Sequence, residues 1–565
     1  MHVGMVWWFY LILLVQIRAQ NLVKNAELES TSSWDCWGIH CEVTNDHASG
    51  QHAVKVTGRQ QEYEGPSQFI NVQPSSHYSV TGIVKILNDY PGELGQKIGI
   101  GVEFTYTDGR KDYLGAASLP LINSHSGFVH LKGDFVSPSK PLKATRIYYN
   151  GPKPSVNFIV DATTVNLIPT NNNWRTQSDH TINTLRKSNI NFQIHVDGGI
   201  DPSQVQIQIT QTKKSFAFGT AVACDEYMYG HQQYKDFLNK HFNWVTTEGA
   251  LKWPSMESTK GNIKYDLPVN TIKELRKHGI KVRAHNIIWS VPTFIQSWVK
   301  ALSGSALRQA VSQRITGVMS KVKGLVEHWD VNNEDLHAQW YQNRLSDMNY
   351  NVEVFKQAHK TDPTVKLFLN DYNVVAQGEF TQAYLKQALH VKGSNAGLYG
   401  IGVQGHFSDE MRPDPTAIKA RLDVLAQAKL PIWITELDVM AADENTRADY
   451  YETALRSFYG HPAVEGIVFW GFWAPRHWRG VKGAILNADF TVNAAGRRVL
   501  DLLENQWTTH ETRKTTKTGT NYFTVNGFHG DYQVKVMYQG RELADQRKSF
   551  SLGKSAQNIN IHVHK

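Results

Sequence analysis

The chain of 565 residues contains only three cysteines, and none of its asparagines begins an Asn-x-Ser/Thr pattern. So few thiols exclude a disulfide-built scaffold, and their spacing excludes a cysteine zinc site. Cys36 and Cys41 are near enough to close a small loop, which leaves Cys224 as a buried thiol. The missing acceptor pattern excludes N-glycosylation. Long apolar runs are equally scarce. The run at 5–15 is too short to span a bilayer comfortably and is followed by the small Ala19, so residues 1–19 read as a signal peptide, although no Lys or Arg precedes the run. No later stretch is apolar enough to cross a membrane, and the mature chain is expected to be soluble, secreted and extracellular. Positive charge is not concentrated either: the net +8 is scattered, with one small cluster at 513–517, which argues against a nucleic-acid partner. There is no internal repeat and no low-complexity tract.

What is present suits two or three domains. Tryptophan is abundant, at 16 residues, and its flat rings serve both sugar binding and core packing. Residues 20–168 alternate in short strands separated by turns, as at 52–56, 78–84, 98–106 and 157–161, the signature of a β-sandwich. Residues 169–215 open on three asparagines and read as a linker and lead-in segment, with a short helix and strands near 192–196 and 205–209. From 216 to 507 apolar strands alternate with amphipathic helices. The strands are 216–220, 244–247, 282–286, 328–332, 367–370, 400–404, 432–435 and 466–470, and the helices include 269–278, 306–322 and 447–459. Eight such units are the count and size of a (β/α)8 TIM barrel. Residues 511–565 return to alternation. The expected fold is therefore multidomain: a barrel flanked by an N-terminal β-sandwich and a small C-terminal β-domain.

In such a barrel, chemistry gathers where strands end. Glu248, Lys252 and Trp253 follow the second strand, His285 and Trp289 the third, Asn333 and Glu334 the fourth, and Asn370, Asp371, Tyr372 and Asn373 the fifth. Gln404 and His406 follow the sixth, Glu436 and Asp438 the seventh, and Trp470 and Trp478 the eighth. Two carboxylates delivered by opposite strands suit cleavage of a glycosidic bond. Asp438 can orient His406, which can hold Glu436 ionised as nucleophile. Glu334, near that charge and among tryptophans, is then the general acid and later the base. Asn333 can bond a sugar 2-hydroxyl. No metal or other cofactor is required, because side chains supply both functions.

Phe218-Gly219-Thr220-Ala221, Lys252-Trp253, the run 283–289, the run 329–334, Asn370-Asp371-Tyr372-Asn373, Gln404-Gly405-His406 and the run 434–438 occur in the order seen in family 10 glycoside hydrolases. Over residues 185–507 the chain resembles the endo-1,4-β-xylanases of that family. The resemblance implies Glu334 as acid/base and Glu436 as nucleophile. It also implies that Lys252, His285, Trp289, Asn333, Gln404, His406, Trp470 and Trp478 line the non-reducing side of the cleaved bond, with Tyr372 stacking beyond it. Three positions depart from the family: Gly249 stands for a usual Asn, Ser290 for a common His, and Ala474 for a usual Asp, so sugar preference is expected to shift. Residues 59–63, Gly65-Pro66-Ser67-Gln68 and the strands at 146–149 and 158–161 resemble carbohydrate-binding modules of families 4, 9 and 22. That resemblance implies a glycan groove lined by Trp34, Tyr63, Tyr113 and Tyr148. The expected protein is a monomeric retaining endo-β-1,4-xylanase whose partner is a polysaccharide, xylan or a β-glucan, and neither a nucleic acid nor a membrane. An endo-β-1,4-glucanase or dual enzyme is the alternative; a non-catalytic glycan-binding protein would lack one of the two carboxylates.

Overall fold

The computed structural model describes residues 21–564, so the expected signal peptide at 1–19 lies outside the described residues. The N-terminal region is a sandwich of two antiparallel sheets. One orders its strands His40–Thr44, Ala53–Thr57, Phe158–Ile168, His77–Ile86 and Val129–Val136; the other orders Ser67–Ile70, Leu142–Asn150, Gln96–Tyr106 and Lys111–Ile122. Alternation along Gln96–Tyr106 explains the layering. Ile98, Ile100, Val102 and Phe104 are buried in the core between the sheets, while Gly99, Gly101 and Glu103 point the other way. Cys36 and Cys41 form a disulfide, and Cys224 is a buried free thiol.

The barrel follows the expected plan. Its eight parallel strands are β1 (Ala217–Val222), β2 (Trp244–Thr247), β3 (Lys281–Ala284), β4 (His328–Asn333), β5 (Lys366–Asp371), β6 (Leu398–Val403), β7 (Ile432–Met440) and β8 (Val464–Phe469). Each pairs with the next, and β1 also pairs with β8, which closes the ring. Helices start where sequence chemistry dictates. The side chains of Asp414 and Asp443 accept the free backbone N–H groups of Ala417 and Thr446 at the heads of Pro415–Ala426 and Glu444–Tyr459.

Two segments depart from the sequence reading. Residues 169–215 are not merely a linker and lead-in. After the helix Trp174–Arg186, which lies on the barrel with Ser178 Oγ donating to Arg456 O at 2.8 Å, come the strands Lys187–Val196 and Val205–Lys214. The first sits between Gly519–Phe528 and Gln557–Val563, the second between His510–Lys514 and Gly530–Tyr538. Residues 511–565 are thus only part of the C-terminal domain. The physical reason is the apolar stripe Ile190, Phe192, Ile194, Val205, Ile207 and Ile209, which must be covered, and the covering residues Val525, Val534, Val536 and Ile561 arrive only at the end of the chain.

The N-terminal sandwich is docked on the barrel by polar contacts. Asp134 receives Arg421 Nη2 at 2.5 Å and pairs with His77 Nε2 at 2.7 Å, all three side chains being largely buried. Burial works against the Asp134 charge, but Arg421 and His77 outweigh it and hold the carboxyl down at about 2. Nearby, Ser118 Oγ donates to Glu379 Oε1 at 2.9 Å. The surfaces meet so closely at Gly378 that a methyl group there would lie 2.0 Å from Asp134 Oδ1.

Candidate active site

The barrel interior is layered. At its base His328, Trp244, Phe368 and Trp433 pack ring against ring. Above them Arg283 lies over Phe368, 4.3 Å from the ring centroid, and pairs with Asp330, both side chains being almost fully buried. Asp330 Oδ2 in turn accepts from His285 Nδ1 at 2.9 Å, which aims His285 Nε2 upward to within 3.9 Å of Glu436 Oε1. A bulge in β4 then re-aims the chain. The pairing with β5 shifts between Asp330 and Asn332, so Asn333 rather than Asn332 faces the barrel mouth. Asn332 instead bonds Ser290 and Asp335 on the helix side.

Glu436, near the middle of β7, is buried and surrounded by donors. Asn370 Nδ2 donates to its Oε1 at 2.8 Å and to Asn333 Oδ1 at 2.8 Å, and Thr435 Oγ1 fixes the other end of that amide at 2.6 Å. His406 Nε2 lies 3.4 Å from Oε2, while His406 Nδ1 is 3.0 Å from Asp438 Oδ2. Asp438 is held in turn by the indole N–H of Trp478 at 2.6 Å and by Arg479 Nε at 3.2 Å. Two imidazoles therefore flank one carboxylate, each backed by its own aspartate. Burial opposes ionisation of Glu436, but His406, His285 and Lys252 outweigh it and hold the carboxyl down at about 2. Burial likewise opposes protonation of His406, and the charges of Asp438 and Glu436 lift it to about 9.

Glu334 meets the opposite conditions. It leaves β4 with φ of +61°, a left-handed conformation costly for a residue with a Cβ, and this turns its side chain over the mouth. Trp289 Nε1 donates to Oε2 at 2.7 Å and Gln404 Nε2 to Oε1 at 3.0 Å. Burial lifts its carboxyl above the usual range; the two donors oppose this without cancelling it, and the charge of Glu436 adds to the rise.

Other residues named from sequence ring the same mouth. Lys252 Nζ stands 4.6 Å from the Trp289 ring centroid and 5.7 Å from that of Trp470, and Trp470 meets His285 edge-on. Glu248 is near Lys252, and burial raises its carboxyl despite that cation. Trp478 is 58% exposed and Tyr372 half-buried, with one face of the Tyr372 ring covered by His337 at 3.5 Å. Beside Glu248, a Cβ added at Gly249 would meet nothing within 4 Å, so that departure leaves open space. Ser290 is a correction: its hydroxyl lies 2.8 Å from Asn332 Oδ1 and 2.9 Å from Asp335 Oδ1, with one proton to give to either, away from the mouth, so it cannot alter sugar preference by contact. Ala474 is half-buried at a short turn whose Arg476 pairs with Asp225. Sequence reasoning placed Asn370 at the end of the fifth strand without giving it a role, and it missed Asp330 and Arg283 as parts of the site, although they stand inside the runs 329–334 and 283–289.

On the sandwich the four aromatic candidates separate. Trp34 is a correction: it is 7% exposed, packs in the core beside Tyr149 and donates its indole N–H to Asn25 O, so it lines no groove. Tyr63 is exposed on a connecting segment. Tyr113 and Tyr148 share the outer face of the four-stranded sheet, where Tyr148 lies flat over Gly101 and is nearly covered. On that face runs a cross-strand row of Phe69, Arg146, Glu103 and Tyr113, in which Phe69 and Tyr113 are exposed and Arg146 bonds the buried Glu103 at 2.6 Å. Phe69 was not anticipated. A cleft of about 1110 Å3 separates this module from the barrel and runs from Tyr113 past Tyr450 to Trp478.

Residues 208–501, more than half of the chain, match the model of glycosyl hydrolase family 10. The chain belongs to this family. Residues 20–156 match a carbohydrate binding domain. Among curated proteins, the chain is 37% identical over 369 residues to the anti-sigma-I factor RsgI6 of Acetivibrio thermocellus, covering 65% of this chain and 47% of that protein. It is 29% identical over 512 residues to endo-1,4-beta-xylanase 1 of Arabidopsis thaliana, covering 89% of this chain and 51% of that one. The chain thus spans about half the length of these relatives. Xylanase 10B of Thermotoga petrophila, solved in complex with xylobiose, aligns with 52% of this chain and 95% of its own, at 20% identity and a TM-score of 0.48. The family 10 region of this chain is therefore a glycoside hydrolase barrel joined to a carbohydrate-binding module.

Proposed function

We propose that this glycoside hydrolase is a secreted, monomeric, retaining endo-β-1,4-xylanase that cuts internal bonds of plant cell-wall xylan. The reading is carried by one observation: two carboxyls face one barrel mouth in opposite protonation environments, Glu436 held ionised between two imidazoles and Glu334 lifted by burial. Ionised Glu436 attacks the anomeric carbon while Glu334 protonates the departing glycosidic oxygen. Glu334 then takes a proton from water, which releases the sugar from Glu436. Asn333, held by Asn370, is placed to bond the 2-hydroxyl as positive charge grows at the reacting carbon. Glu248, Lys252, His285, Trp289, Gln404, Trp470 and Trp478 receive the sugars on the non-reducing side, and Tyr372 those beyond the cleaved bond. The row containing Phe69 and Tyr113 holds further polysaccharide on the sandwich.

A second reading, a dual xylanase and glucanase, is favoured by the open space at Gly249. Glucan differs by a hydroxymethyl group, and one small group discriminates by only about 1 to 3 kcal/mol. The test is reducing-sugar release from xylan and from a soluble cellulose by the intact protein and by Glu436→Ala. Xylan-selective release that is lost in the variant supports the first reading, and comparable turnover of both polymers supports the second. Release from neither overturns both. The anomer first released, read by NMR, checks the stereochemistry: β supports retention and α overturns it. Protein recovered from the medium should begin near Gln20.

A further inference from the structure

The geometry points to a divalent transition-metal site on the C-terminal sandwich, built from His195, Asp197 and His562, with zinc as the fitting ion. His195 and His562 are register partners on neighbouring parallel strands, so their rings stand side by side on the outward face, with centroids 5.2 Å apart. Asp197 follows the first strand directly, and its backbone N–H extends the ladder to Val563 O at 3.0 Å. Its Oδ1 lies 2.5 Å from His562 Nε2 and 3.8 Å from His195 Nε2. One donor atom from each residue lies within 4.8 Å of the others. Tetrahedral zinc, with bonds of about 2.0 to 2.2 Å, asks for donor atoms roughly 3.3 Å apart, a span these side chains bracket.

Two further features fit a metal better than a chance ion pair. Thr520 Oγ1 lies 3.3 Å from His195 Nδ1 and can accept its proton, which leaves the Nε2 lone pair free for the ion. Two imidazoles and one carboxylate suit zinc, nickel or copper, whereas calcium and magnesium prefer oxygen donors alone. The site also has a structural purpose. His195 and Asp197 precede the barrel and His562 is near the chain's end, so one ion would pin together the two segments from which this domain is built.

Calorimetric titration of the full chain with zinc chloride at pH 7.5 should show one equivalent bound with micromolar affinity, weakened at least tenfold in His195→Ala and in His562→Ala. His125→Ala, on the other sandwich, should bind as the parent does. Affinity should fall between pH 7.5 and 5.5 as protons compete for the imidazoles. Cobalt in place of zinc should give the visible absorption of a four-coordinate ion, lost in His562→Ala, and zinc should raise the unfolding temperature of the parent but not of that variant. No saturable binding, or binding that survives both histidine changes, overturns the proposal. Neither histidine lies at the barrel mouth, so failure here leaves the proposed hydrolase activity untouched, and the converse holds.

Discussion

The end of β4 and the middle of β7 deliver the same residue type to the same space, yet treat it oppositely. Around Glu436 the protein has placed two histidines, an asparagine and a lysine, so that charge is welcome despite full burial. Around Glu334 burial and a nearby negative charge lift the carboxyl, and an indole and a primary amide oppose that rise without cancelling it. The difference teaches that a carboxyl's role is written in its neighbours, and that burial alone does not decide it. Enough cationic partners hold a buried carboxyl down, and where they are fewer burial pushes it up.

The comparison can be broken outright. Removing the ionised member in Glu436→Ala should cost more than about 10,000-fold in kcat on xylan. Removing the proposed acid in Glu334→Ala should cost about 100- to 10,000-fold, and less on an aryl glycoside whose leaving group needs no proton, so rates on the two substrates measure the role directly. A smaller change blurs the contrast. His406→Ala strips Glu436 of its nearest imidazole, and kcat/KM should fall about 100-fold while the acid limb of the pH profile moves upward, because the carboxyl then protonates more readily. The same depressed carboxyl contributes stability that is complete above about pH 4.5 and lost as pH falls through about 2, so acid unfolding should begin at higher pH in this variant. The mildest change sharpens the contrast. Gln404→Ala removes a donor that favours the ionised form of Glu334, so the alkaline limb should move to higher pH by less than about one unit, with a modest loss of rate.

Much of this was legible in the sequence. Eight apolar strands between amphipathic helices gave the barrel, and acidic residues just past two of them marked the site. Less was legible where one strand position decides a direction. The bulge in β4 exchanges the faces of Asn332 and Asn333, and no local signal announces it. Trp289 and Ser290 are neighbours that point to opposite sides of one strand end, so proximity in sequence to a cleft residue misled about Ser290. Trp34 shows the same limit in another form, since an aromatic beside a turn can cap a core or face a ligand, and only tertiary packing chooses. The strands at 192–196 and 205–209 could be seen, but their partners lay more than 300 residues downstream, beyond the reach of any local pattern.

That interleaving governs how the protein can be made. On a ribosome the strands Lys187–Val196 and Val205–Lys214 emerge well before their partners, of which the first to appear is His510–Lys514, the neighbour of Val205–Lys214. At about 5 to 20 residues per second the wait is roughly 15 to 60 seconds, during which the barrel can fold while an apolar strand pair hangs uncovered from its entrance. The strands between residues 510 and 563 thus close the domain. A nascent chain that stops short of them carries a folded barrel and an uncovered apolar seam, the kind of surface that makes a folding intermediate prone to aggregate.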